Sequence, residues 1–330
     1  MIIFLYGEDE FRSLEKLNEI RNKFLEKNSS GSGLSSFDFE EEKETKLSEI
    51  KKAFGSKGLF FEKQLVIIKN LLKISKKDFI SDTVDFLKSL KNIFEDKDLV
   101  VVFWEKGKTN EKNELFKVLN DKTGLPAGRA KSQKFDLLSG AKLSSWINSE
   151  LEKENNKMKI SPKAIEKLAA YSGGELAVIQ NEIKKLANYK NEGIIDENDV
   201  ELLVKEKISS NIFEAIEAIS SGNKKQALKL LHDQLQKGED PIYLLMMYVY
   251  QFRNFLKVSE YTERGERNGY DIAKKAGLHP FVVQKILGQI HRFSPERLKN
   301  IYQKLQIIDE KIKTGKGEVK VELDRFIVEI

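Results

Sequence analysis

Short apolar runs alternate with longer amphipathic segments along the first 138 residues, which is the pattern of a parallel β-sheet covered by helices. Residues 1–6, 64–68 and 98–104 are apolar on both faces, as the central strands of such a sheet are. Residues 11–27 repeat apolar side chains at helical spacing. The other predicted elements are a short strand at 37–39 and helices at 47–54 and 79–93.

The pattern changes after residues 121–134, a turn-rich stretch with glycine and proline, and the sequence beyond it is almost purely helical. Ser161 and Pro162 have the spacing of an N-cap followed by a first-turn proline. A chain of 330 residues is too long for one hydrophobic core. We therefore predict three domains: an α/β domain at 1–138, a small helical domain at 139–208 and an all-α domain at 209–330.

One predicted helix differs from the others in its apolar content. The segment 242–256 is apolar around more of its circumference than the one-sided stripe of a surface helix. We expect it to be surrounded, either by its own domain or by neighbouring subunits.

The amino-acid composition excludes several classes of protein and of functional site. The chain has no cysteine, which excludes disulfides, thiolate metal sites and cysteine nucleophiles. No window reaches the roughly 18 consecutive apolar residues of a membrane span, and the apolar run at 1–6 lacks the basic flank of a secretion signal. A cytoplasmic location is the expectation.

The net charge of +5 is modest and lies mostly in the last third of the chain. Residues 209–330 hold 20 Lys and Arg against 16 Asp and Glu. Dedicated DNA-binding proteins usually have a denser basic stripe, so charge alone is weak support for nucleic-acid binding.

An α/β domain followed by a helical lid is the layout of AAA+ ATPases, but the nucleotide motifs are missing. After the first strand, Glu8, Asp9 and Glu10 stand where a phosphate loop would have glycines, a lysine and a Ser or Thr. Three carboxylates would repel a polyphosphate. We expect Asp9 or a neighbour to cap the helix that follows.

The other nucleotide-handling positions depart from the AAA+ pattern too. Trp104 and Glu105 stand where a Walker B motif has Asp and Glu, and we expect Glu105 to be a surface carboxylate at a strand end. The lid segment 174–177 has alanine where an arginine usually reaches the γ-phosphate, and no Ser-Arg-Cys motif occurs. ATP hydrolysis, a metal and a cofactor are not expected. Structural roles are expected for His232, His279 and His291.

Over its whole length the chain resembles the delta subunit of the bacterial DNA polymerase III clamp loader. The residues that carry the resemblance are YGEDEF (6–11), GLFFEKQLVII (58–68), GGELAVIQNEIKKLANY (173–189), NIFEAIEAI (211–219), GEDP (238–241), YQFRNFL (250–256), GLHPFVVQKI (277–286) and DEKIKTG (309–315). The resemblance implies an AAA+-like α/β domain, a helical lid and an all-α collar. It also implies a non-hydrolysing subunit that opens the sliding clamp.

The resemblance assigns clamp binding to Leu59 and Phe60, because delta subunits insert a Leu-Phe pair from this loop into a pocket of the clamp. The residues themselves favour projecting side chains, since they follow a glycine- and lysine-containing loop and precede a charged pair. This chain adds Phe61, so the anchoring pair is either Leu59 with Phe60 or Phe60 with Phe61.

The remaining partners are also implied by the resemblance. They are the ATP-hydrolysing gamma/tau subunits and delta-prime, which contact the collar, and primer-template DNA. Lys313 and Lys316 belong to a lysine cluster with Lys311 and Lys320, which is either a solvated loop or a contact to DNA phosphates.

Two other functions are left open by the sequence. One is a P-loop NTPase with a degenerate loop, against which the missing lysine argues. The other is a DNA-binding protein that works without partners, which would have to bind DNA alone at physiological salt.

Overall fold

A computed structural model describes residues 1–28, 31–40, 47–55, 63–74, 77–89, 98–120, 130–205 and 208–330. The chain divides into two compact units, residues 1–137 and 138–330.

The first unit is built on a parallel sheet of five strands in the order β2-β3-β4-β1-β5. The strands are β1 (Ile2–Tyr6), β2 (Leu34–Asp38), β3 (Gln64–Lys69), β4 (Leu99–Trp104) and β5 (Ala130–Lys134). The central strands β1, β3 and β4 are the three runs predicted to be apolar on both faces, and that prediction is confirmed. Strand β5 was not predicted. Its sequence AKSQK is polar, because it lies at an edge of the sheet and buries little.

Helices cover the sheet and close a hydrophobic core on each of its faces. Phe4, Val101 and Phe103 point into one core, and Leu5, Val102 and Trp104 point into the other. The helices are α1 (Glu10–Lys27), α2 (Leu47–Gly55), α3 (Lys77–Ser89) and α4 (Glu114–Asn120), with a 3-10 turn at Leu71–Lys73.

The second unit begins with four helices and a two-stranded sheet. Ser161 caps α6 through its side chain, which accepts from the Ala164 N–H at 3.2 Å, as predicted. A parallel pair of three-residue strands, which was not predicted, joins the α5–α6 connection to the α7–α8 connection. The elements are α5 (Gly140–Glu154), β6 (Met158–Ile160), α6 (Pro162–Ser172), α7 (Leu176–Lys190), β7 (Gly193–Ile195) and α8 (Glu197–Leu203).

Seven described helices complete the second unit around one central helix, α11. Its buried residues include Tyr248, Phe252 and Phe255, which belong to the largest core of the chain. The helices are α9 (Ile208–Ser220), α10 (Lys224–Gln236), α11 (Pro241–Glu263), α12 (Gly269–Ala276), α13 (Pro280–Gln289), α14 (Pro295–Lys313) and α15 (Val319–Glu329).

The chain's own residues surround only part of α11. Ile242, Tyr243, Met246 and Tyr250 are each 43–53% exposed. Their spacing puts these four side chains on one side of the helix. We expected segment 242–256 to be surrounded, either by its own domain or by neighbouring subunits; its own domain covers one face of the helix, and the described residues leave the other face exposed.

Among the described residues, no helix combines the length and the apolar character that crossing a membrane requires.

Glu105 is not the surface carboxylate that we expected, because it is 2% exposed. It follows β4 directly, and its Oε1 accepts a hydrogen bond from the Leu72 N–H at 3.0 Å in the 3-10 turn after β3. Burial raises the pKa of this carboxyl to about 8, although the Leu72 and Leu71 N–H groups act in the opposite direction. Glu105 follows a buried apolar strand directly, which places its side chain in the interior. The Leu72 N–H of the turn is its hydrogen-bond partner.

We predict that Glu105→Gln stabilises the protein at pH 7.5 and not at pH 4. Because the pKa of Glu105 is about 8 in the folded chain, the carboxyl group keeps its proton up to about that pH, whereas the unfolded chain loses it near the ordinary glutamate pKa of 4.5. Stability of the parent chain therefore falls as pH rises through this window, by at most about 1.4 kcal/mol per pH unit. Glutamine removes the titration and keeps an oxygen that accepts from Leu72.

The measurement is urea unfolding of both proteins at pH 4, 6 and 7.5. Glu8→Gln is the control, because Glu8 is an exposed carboxylate in the same unit. A stability difference between parent and Glu105→Gln that stays constant across these pH values would contradict the prediction.

Candidate functional site

The predicted clamp-binding residues Leu59, Phe60 and Phe61 lie outside the described residues, in segment 56–62. The elements on both sides of the segment are firmly held. Phe54 of α2 is 4% exposed and packs edge-on against Phe86, with ring centroids 5.4 Å apart. On the other side, the Gln64 N–H donates to the Asp98 carbonyl at 2.8 Å and begins the central strand β3. Segment 56–62 thus lies in the sequence between two elements that are anchored in the core.

The turn from β1 to α1 occupies the position of a phosphate loop, and Gly7 begins it. Gly7 has a φ of +132°, and a Cβ atom there would collide with the Phe135 carbonyl oxygen. Only glycine fits this close approach of two backbone segments. The glycine of this turn therefore serves packing within the first unit.

The N-terminus of α1 is capped by Asp9, as predicted. One carboxylate oxygen accepts from the Arg12 N–H at 3.0 Å, and the other accepts from Arg12 Nε at 2.7 Å. Arg12 also donates to the Asp136 carbonyl, and the Asp9 N–H donates to the Phe135 carbonyl at 3.0 Å. Helix N-termini at this position bind phosphate in nucleotide-binding proteins. Here a carboxylate of the chain takes that place.

The Walker B position is also engaged in internal contacts. The indole Nε1 of Trp104 donates to the hydroxyl of Ser13 at 3.1 Å, and both side chains are buried. This bond ties the end of β4 to the first turns of α1. The next residue, Glu105, is held by the turn after β3 as described above. Neither side chain is directed as a metal-binding Asp-Glu pair would require.

The lid position that usually carries an arginine is occupied by Ala177, in the first turn of α7. Glu175 is the N-cap residue of this helix and Leu176 is buried. An exposed alanine has no group that could reach a phosphate.

The lysine cluster surrounds the end of α14. Lys311 lies 3.4 Å from Glu322, and Lys313 lies 2.6 Å from Asp309. Lys316 follows the helix and is exposed. Cations in the last turn of a helix are favoured by its dipole, so Lys311 and Lys313 also stabilise the helix end. Lys313 and Lys316 are both accessible, and whether they contact DNA stays a prediction.

A further candidate surface is the exposed side of α11, which we define as the α11 face: Ile242, Tyr243, Met246 and Tyr250. Aromatic residues and methionine are enriched where protein surfaces meet. The sequence showed that the segment was too apolar for a surface helix. It did not show which residues would be exposed, because that depends on how α14 and α15 pack against α11.

Two family models match the chain. The family described as "DNA polymerase III, delta subunit" matches residues 4–125, and "DNA polymerase III delta subunit, C-terminal domain" matches residues 209–330. Together these ranges cover most of the chain, including the β1–α1 turn, segment 56–62, the α11 face and the lysine cluster.

Similar proteins agree with this match. The DNA polymerase III subunit delta of Bacillus subtilis (strain 168) is 28% identical over 332 residues, which span 99% of this chain and 91% of that protein. The solved structure of the Bacillus subtilis DNA clamp loader delta protein is 25% identical with a TM-score of 0.72, covering 99% of this chain and 94% of that one. The order of an α/β domain followed by a helical region is thus confirmed, and the chain belongs to the DNA polymerase III delta subunit family.

Proposed function

We propose that this clamp loader delta subunit binds the sliding clamp and favours its open form without hydrolysing ATP. The observation that carries the proposal is that side chains of the chain itself occupy the position where a nucleotide would bind. Asp9 caps α1, and Trp104 is hydrogen-bonded to Ser13. A subunit with this arrangement acts through binding energy rather than through chemistry.

Clamp binding is assigned to the apolar residues Leu59, Phe60 and Phe61. Burying one such side chain contributes roughly 1.5–3 kcal/mol, so two of them support a stable contact together with polar residues around them. Phe54 and Gln64 lie on either side of segment 56–62 and are held in the core and in the sheet. This supports the role, because a force applied to the segment would act directly on α2 and β3. A ligand shifts an equilibrium by its differential affinity, so binding the open ring more tightly than the closed ring opens it.

The residues at the nucleotide position support the proposed lack of ATP hydrolysis. The Arg12 N–H at the start of α1 already has the Asp9 carboxylate as acceptor, and the negative charge of Asp9 disfavours a phosphate there. Glu105 is buried and bound to a backbone N–H, so it is not placed to activate water.

Assembly is assigned to the α11 face. The collar of the subunit would bind the ATP-hydrolysing gamma/tau subunits and delta-prime, which would cover Tyr243, Met246 and Tyr250. Exposed apolar groups of this kind on one helix face are typical of interaction surfaces. Primer-template DNA would be contacted through Lys313 and Lys316 in the assembled complex.

We predict that Leu59→Ala combined with Phe60→Ala weakens clamp binding at least tenfold and leaves the fold intact, since a tenfold change needs only about 1.4 kcal/mol. Isothermal titration calorimetry with the clamp measures this. The pair Phe60→Ala with Phe61→Ala, measured in parallel, identifies which two side chains anchor the loop. Unchanged affinity in both double variants would reject the assignment.

The reciprocal control is Tyr243→Ser combined with Met246→Ser on the α11 face. This variant should keep the parent affinity for the clamp and lose assembly with gamma/tau and delta-prime in size-exclusion chromatography. The loop variants should show the opposite behaviour. Loss of both properties in either variant would indicate general misfolding and would be visible in the thermal unfolding curve.

We predict that the purified chain turns over no ATP, and that its thermal unfolding is unchanged by millimolar Mg-ATP. A protein that bound the nucleotide in its folded state would be stabilised by the ligand. A gamma/tau subunit measured in the same assay is the positive control. Turnover that co-purifies with the chain would favour the P-loop NTPase instead.

We predict that Lys313→Ala combined with Lys316→Ala reduces the salt dependence of DNA binding by the assembled complex. Each lost phosphate contact lowers the slope of log K against log salt by about 0.9 for duplex DNA. Lys157→Ala with Lys163→Ala, two exposed lysines of the α5–α8 group, is the matched control. An unaltered slope would exclude the contact, and strong DNA binding by the isolated chain would favour the partner-free function.

A further inference from the structure

Two segments of the second unit that are far apart in sequence meet at Gly174. Gly173 and Gly174 follow α6, with φ angles of +67° and +77°. A Cβ atom added to Gly174 would lie 2.9 Å from His279 Cε1 and 3.1 Å from Phe281 Cβ. The first distance is shorter than any ordinary carbon contact, and the second is tight. The missing side chain therefore lets the α6–α7 turn pack directly against the start of α13.

The α13 side of this contact is held in place by its own bonds. His279 is the N-cap residue of α13, and its Nδ1 accepts from the Phe281 N–H at 3.2 Å. Pro280 is buried and begins the helix. The Lys285 ammonium lies 5.5 Å from the ring centroids of both Phe281 and Phe213. Because Phe213 is 4% exposed in the large core, the contact is tied to the interior of the α9–α15 group.

The location of the contact gives it a mechanical role. The polypeptide passes only once from the α5–α8 group to the α9–α15 group, between α8 and α9. A single covalent connection leaves rotation about that connection free. A second packed contact, remote from the first in sequence, restricts the rotation.

We infer that Gly174, His279 and Phe281 form a joint that fixes the orientation of the α5–α8 group on the α9–α15 group. The two groups then move as one body. The consequence for clamp opening rests on the proposed function: a rigid subunit transmits a displacement of its C-terminal helices, whereas a loose subunit absorbs it. The three residues are positioning residues, and they touch neither clamp nor DNA in this account.

The joint is tested by a distance measurement in the full chain. The sequence has no cysteine, so Glu166→Cys in α6 and Asn300→Cys in α14 give two unique sites for spin labels at exposed positions. Pulsed electron spin resonance then reports the distance distribution between the two groups. We expect one narrow distribution in the labelled parent protein.

His279→Ser is the first variant, because serine keeps an oxygen that can cap α13 and removes the ring that Gly174 contacts. We expect its distance distribution to broaden or shift, with an unchanged far-ultraviolet spectrum. Asn268→Ser is the matched control. Asn268 caps α12 through the Tyr270 N–H at 2.9 Å and is exposed, so the same kind of cap is exchanged away from the joint.

Gly174→Ala is the second variant and covers the case in which His279→Ser fails to fold. Its control is Gly222→Ala, since Gly222 has a similar φ of +74° with no atom within 4 Å of an added Cβ. Both substitutions strain the backbone, but only Gly174→Ala also displaces His279 and Phe281. We expect a shifted distribution for Gly174→Ala alone.

Distributions identical to the parent in both variants would overturn the joint. This readout does not involve the clamp, so it fails or succeeds independently of the proposed function. In the reconstituted loader, His279→Ser should reduce the rate of clamp opening severalfold and keep the clamp affinity of the isolated subunit. Loss of that affinity would instead assign the residue a general structural role.

Discussion

The carboxylate of Asp9 controls what the turn between β1 and α1 can bind. Four N–H groups at the start of any helix need acceptors, and in a nucleotide-binding domain of this layout a phosphate supplies them. In this subunit Asp9 accepts from the Arg12 N–H and forms an ion pair with the Arg12 side chain. Arg12 in turn reaches the Asp136 carbonyl beyond β5. A ligand at this position would have to break the ion pair between Arg12 and Asp9, whose carboxylate is buried, before gaining any contact.

The neighbouring contacts depend on the same arrangement. Because α1 is fixed by its cap, Ser13 is placed to accept the hydrogen bond from Trp104, which packs between β4 and α1. The end of β4 then continues into Glu105, whose carboxyl group holds the turn after β3. Asp9 after β1, Trp104 at the end of β4 and Glu105 after it thus each form a hydrogen bond to another part of the chain near the carboxyl edge of the sheet. This edge of the sheet is thus stabilised by contacts of the chain with itself.

Sequence patterns were sufficient where burial alone decides the structure. The three central strands, α1 with its Asp9 cap, and α6 with Ser161 and Pro162 were all predicted. Strand β5 was not predicted, because an edge strand needs no apolar residues. Glu105 was wrongly predicted to be exposed, because the prediction rested on the charge of its side chain. The α11 face and the contact at Gly174 could not be predicted, since both depend on which helices meet in three dimensions. The assignment of clamp binding to Leu59, Phe60 and Phe61 stays a prediction that rests on the family resemblance, because these residues lie outside the described part of the chain.

The hydrogen bond from Trp104 to Ser13 has a consequence for which residues position 104 can hold. An indole at the end of β4 fills volume that a short carboxylate would leave empty, and its removal would open a cavity in a packed core. A carboxylate at position 104 would therefore lose both the hydrogen bond to Ser13 and the van der Waals contacts that the indole makes in the core. The packing of Trp104 thus opposes the introduction of an acidic residue at the end of β4.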